Sequence, residues 1–121
     1  MGWHVRAAEL TGCEGLELEV ALLLLGHAAS GLLHRPACES VAGAAALMEV
    51  DQAASRLEAG GVRAHPSFPV GGERVEVGAV RPLLVAALER LVAGVGTAAV
   101  PDQVARAVIF VRYALRVLDD G

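Results

Sequence analysis

Two histidines, His27 and His34, stand seven residues apart in the longest apolar stretch of the chain, so a helix would carry both on one face. Cys38 follows closely and His65 lies further on. Imidazole and thiolate groups ligate zinc and other transition metals, which makes His27, His34 and Cys38 a candidate metal set with His65 as a further donor. The spacing matches none of the helical metal motifs: HExxH, CxxC and ExxH are all absent. The competing account is two part-buried histidines, His34 serving the negative end of a helix. No metal or other cofactor is expected.

His27, His34 and His65 are also the candidates for general acid–base catalysis, which needs a base within hydrogen-bond reach of a substrate proton and a group to orient it. The sequence supplies no such pair. Ser67 beside His65 lacks the glycines of a nucleophile elbow. Glu14 and Glu17 have no matching acidic pair on a facing helix, and Glu49 and Asp51 project to different sides of a helix. Gly71-Gly72 and Gly94-Val-Gly96 are turn glycines without the lysine of a phosphate loop.

The third chemistry is recognition. Arg106, Ile109, Arg112, Tyr113 and Arg116 fall on the side of one C-terminal helix that faces away from its apolar stripe. Tyr and Arg are favoured at the energetic centres of protein interfaces.

These residues must be positioned by helices. Thr11 and Glu14 have the spacing of a capping box, and Glu14, Glu17 and Glu19 suit the positive end of the helix that follows. That first helix runs to about Leu33 and is stopped by Pro36. Leu18, Leu22, Leu25, Ala29, Leu32 and Leu33 form its core stripe; Leu16, Val20, Leu23 and Leu24, with His27 and His34, form a second apolar face. Gly26 and Ser30 lie between the two faces and would let another helix come close. The second helix is expected over Ala37–Ala59, with Gly43, Ala46, Leu47, Val50, Ala54 and Leu57 inward and Gly60-Gly61 as its stop. Residues 62–80 break the helical period; two glycines between valine-rich arms read as a small β-hairpin or ordered loop. The third helix starts near Arg81-Pro82 and carries Leu84, Leu88 and Leu91. The fourth runs from Pro101-Asp102 to Leu118 on Val104, Val108, Val111, Leu115 and Leu118.

Composition bounds the function class. The chain has 121 residues, one domain by size, and hydrophobic residues make up 55% of it, enough for a core without metal or disulfides. Aromatics are 3%, so that core must be aliphatic, and Trp3, Phe68, Phe110 and Tyr113 are informative by rarity. All ten basic residues are Arg, with no Lys or Asn, a bias that fits a GC-rich bacterial genome better than selection for the guanidinium fork. A net charge of −4 argues against general nucleic-acid binding. Two cysteines and a start unlike a signal peptide point to free thiols in the cytoplasm. The run from Val20 to Leu33 is too short and too interrupted to span a membrane.

The sequence is thus read as an all-α, four-helix bundle-like single domain over residues 1–121, with a lead segment at 1–13 and a hairpin or loop at 62–80. Its expected role is a cytoplasmic protein–protein interaction module: an adaptor, regulator or accessory subunit. It would form a homodimer through Leu16, Val20, Leu23 and His27, and meet a heterologous partner through the fourth helix. The alternative is a small helical enzyme or small-molecule binder with an apolar pocket lined by His27 and His34.

Overall fold

A computed structural model describes residues 17–33, 40–63 and 77–120. These form four helices: α1 (Glu17–Leu33), α2 (Val41–Ala59), α3 (Val77–Gly94) and α4 (Pro101–Asp120), with one 3-10 turn at Val95–Thr97. No strand occurs among the described residues. The all-helical expectation is met; two of its boundaries and its hairpin are not.

Helix α2 begins at Val41 and not at Ala37, because Ser40 is its N-cap. Ser40 is extended (φ −86°, ψ 149°), and its hydroxyl oxygen accepts from the Gly43 N–H at 2.8 Å, satisfying one of the free donors of the first turn. The other end closes as a Schellman motif. Gly61 has a φ of +92°, and the N–H groups of Gly61 and Val62 donate to the carbonyls of Glu58 and Leu57, each at 3.0 Å. Val62 and Leu57 both join the core. Arg63 Nη1 donates to the Glu58 carbonyl at 2.8 Å, a cation at the negative end of the helix.

That cap occupies the first residues of the expected hairpin, and Val77–Val80 of its second arm are the first turn of α3. The rest of it, 64–76, lies outside the described residues. Val80 is buried and continues the helical series Leu84, Ala87, Leu91, which outweighs the short valine alternation before it. Pro82 therefore sits in the second turn and not the first. Its missing N–H leaves the Gly78 carbonyl without a helical donor, tolerable where both residues are exposed.

Three approaches set the helix directions. A Cβ on Gly94, at the end of α3, would fall 2.7 Å from Leu18 Cδ2 at the start of α1. A Cβ on Gly60, beyond the end of α2, would fall 3.2 Å from the Gln103 Cβ at the start of α4. Arg81, near the start of α3, pairs with Asp119 near the end of α4. So α1 and α3, α2 and α4, and α3 and α4 are antiparallel pairs. The closest packing is α1 on α3 and α2 on α4, completed by α1 against α2 and α3 against α4. The ring order is α1, α2, α4, α3 and the order of directions is up, down, down, up. The helices α2 and α3 are therefore parallel.

The core contains one broad arc of α1. Leu18, Leu25 and Leu32 lie along one edge, Val20 and His27 along the other, and Ala21, Leu24, Ala28 and Gly31 between. At 100° per residue the arc covers roughly half the circumference. The two faces inferred for this helix are therefore the margins of a single buried surface, and α1 needs it because it touches both α2 and α3. Leu22 and Ala29 are half-buried, and Leu33, assigned to the core stripe, is 62% exposed. Gly26 faces open space and mediates no close approach.

Two glycine substitutions should therefore act with opposite sign. Gly26→Ala has room for its methyl and should gain about 0.5–1 kcal/mol from helix propensity. Gly94→Ala forces Leu18 to move, with a contact to its Cγ at 2.9 Å as well, and should lose about 1–3 kcal/mol. Urea midpoints at unchanged slope decide; equal signs would contradict the packing described.

The Arg81–Asp119 pair is exposed and bidentate, with Nε to Oδ1 at 2.7 Å and Nη2 to Oδ2 at 3.1 Å. The Arg81 hydrogen bond holds the Asp119 carboxyl below its ordinary value of 3.8, helped by charge attraction and opposed by partial desolvation. A depressed folded-state value means stability that is present above the unfolded value and lost as pH falls through the folded one. Wild type should therefore exceed Asp119→Asn in melting temperature at neutral pH by a small margin that vanishes in strong acid and in high salt. A margin that persists in strong acid would show that the pair is not its source.

Candidate functional site

Of the histidine set, only His27 lies among the described residues. His27 is 6% exposed, on the margin of the α1 arc and inside the molecule. His34, Cys38 and His65 lie outside the described residues, as does Leu16. No three of the described His, Cys, Asp and Glu side chains are grouped so as to hold a metal ion. Of the residues expected to form a homodimer face on α1, Val20 is 1% exposed and His27 nearly as enclosed, so both are covered by the chain itself; Leu23 is half-buried. The extra apolar surface of α1 is taken up by two neighbouring helices, which the assignment of a single core stripe had left out.

Helix α4 keeps its expected exposed face, but its buried face is rotated from the expected stripe, and Val108, Leu115 and Leu118 are only part-buried. Its buried face is Val104, Ala107, Val111 and Ala114. Opposite them Ile109 is 49% and Tyr113 51% exposed. Helical geometry puts these two within roughly 40° of each other, Arg106 to one side, Arg116 and Arg112 to the other. All three arginines are exposed. Asp102 lies one turn ahead of Arg106 on the same face, yet among the described residues none of Arg106, Arg112 and Arg116 forms an ion pair.

The α2 edge of this patch holds a shallow depression of about 120 Å³, lined by Arg56, Arg106, Ile109 and Phe110. Arg56 belongs to α2, so the feature exists only because α2 and α4 are packed together; nothing in the sequence pairs position 56 with 106. This seam also concentrates unsatisfied polar atoms. Arg56 Nε, Glu49 Oε2 and Gln103 Oε1 are all removed from solvent without a hydrogen-bond partner. Each such atom forfeits about 1–3 kcal/mol. Native structures keep few orphans, and those that occur need an explanation.

Arg56→Met tests whether that cost is present. It keeps the aliphatic stem and removes the orphan, and should raise stability by about 1 kcal/mol in urea unfolding. A loss of stability would mean that the guanidinium is satisfied in solution. No protein-family model, curated protein or solved structure matches this chain, so the reading of its surface rests on its own residues.

Proposed function

We propose that this chain is a protein–protein interaction module, an adaptor, regulator or accessory subunit, that docks a partner on the exposed face of α4. One observation carries the reading: Ile109 and Tyr113, each about half exposed, stand among arginines that form no ion pair among the described residues. The fold does not need either side chain, since the opposite face of α4 already supplies the core. An apolar strip in a ring of charge is the composition of an interface centre and its rim.

The self-association expected through α1 loses Val20 and His27 to the core, so a heterologous partner is the form in which the interaction reading is carried forward. The enzyme or small-molecule alternative gains no support, because His27 is enclosed and His34 lies outside the described residues.

Ile109→Asp should leave unfolding free energy within about 0.5 kcal/mol of wild type, as surface substitutions do. It should also abolish quantitative capture of protein partners from an extract of the source organism. Leu23→Arg, at the half-buried edge of α1, serves as the comparison and should lower stability first. If Ile109→Asp captures the same partners as wild type in the same amounts, the α4 face is not where they dock.

A further inference from the structure

The depression between α2 and α4 narrows the chemistry of the partner, on the premise that α4 presents a docking face. Its volume of about 120 Å³ is well below the roughly 300–1,000 Å³ of small-molecule pockets. It suits one anchoring side chain, not a cofactor. Ile109 and Phe110 make its apolar wall, and Arg56 and Arg106 supply a cation from each of the two helices. Arg56, Arg106, Arg112 and Arg116 form no ion pair among the described residues.

Four cations outnumber the acids placed with them, Asp102 on the same face of α4 and Glu49 in the α2–α4 seam, on a chain whose net charge is −4. The local sign opposes that of the whole, and three possible occupants fit poorly. A neutral apolar partner would cover these guanidinium groups without giving them acceptors. A basic partner would be repelled. A nucleic acid would meet an acidic molecule on either side of a narrow basic strip. We propose that the depression seats an acidic segment of a partner protein. One aliphatic or aromatic side chain of that segment lies against Ile109 and Phe110, and a neighbouring carboxylate accepts from Arg56 and Arg106.

The test selects a phage-displayed library of random peptides on the purified protein, then measures the enriched peptides by fluorescence anisotropy, together with counterparts in which Asp and Glu are replaced by Asn and Gln. Enriched sequences should carry an acid beside Leu, Phe or Trp. Arg106→Gln, an exposed change that spares the core, and Arg56→Gln should each weaken the acidic peptide roughly tenfold or more, yet leave its neutral counterpart unaffected. Selection of peptides without an acidic excess, or losses on the two sides that simply add, would overturn the assignment. If such peptides are still lost with Ile109→Asp, the docking face survives and only its acidic partner fails. If no peptide is selected, or if Ile109→Asp changes nothing, both readings fall. Tighter binding of a labelled single-stranded oligonucleotide than of any selected peptide would also overturn the proposal.

Discussion

Ala21, Ala28, Ala46, Ala53, Ala87, Ala107 and Ala114 are fully buried and distributed over all four helices, so every helix turns methyl-sized side chains toward the core. Small contact residues bring helix axes toward the near end of the roughly 8–10 Å packing range. At such separations the aliphatic side chains beside them, Leu25, Leu32, Leu57, Leu84 and Leu91, have no exposed atoms to spare. Each alanine methyl contributes little transfer free energy by itself. Its value lies in letting backbones and larger neighbours come into dispersion contact. The same closeness makes the core intolerant of added volume, as the meeting of Gly94 with Leu18 shows.

This packing resolves the problem posed by α1. A helix that is apolar nearly all round is either central to a fold or caught between a core and a partner. Here α1 is clasped by α3 on one side and α2 on the other, and the centre of its buried arc is Ala21, Leu24, Ala28 and Gly31. The direction of each helix follows from this. With α1 antiparallel to both neighbours, α2 and α3 become a parallel diagonal pair, and the long connection between them is the price of that arrangement.

Much of the fold was legible in the residues. Four helices, the stop at Gly60-Gly61 and the exposed face of α4 all follow from local signals: spacing, capping and turn chemistry. Three features were not legible, each for a physical reason. The α1 stripe was placed by its leucines, whose large transfer energies dominate any apolar pattern, while three of the four residues at the centre of the buried arc are Ala21, Ala28 and Gly31. The start of α3 was masked by a short valine alternation and by Pro82, which reads as a first-turn residue but sits one turn deeper. The depression beside Ile109 joins Arg56 to Arg106 across two helices, and no periodicity within one segment encodes a contact between segments.

The polar atoms of the α2–α4 seam remain to be reconciled with an otherwise aliphatic core. Glu49, Arg56 and Gln103 each keep one atom buried without a partner, and all three lie on α2 or α4. Methionine or leucine at these positions would satisfy the packing at lower cost, so folding alone does not account for them. Of the three residues only Arg56 lines the depression beside Ile109; Glu49 Oε2 and Gln103 Oε1 are acceptors and have nothing to gain from an acidic partner. Cations that line an exposed apolar depression, Arg56 from α2 and Arg106 from α4, are what a recognition surface for an acidic partner requires. The close pairing of α2 with α4 places them there, so the packing that encloses α1 also builds the edge at which this chain can meet another.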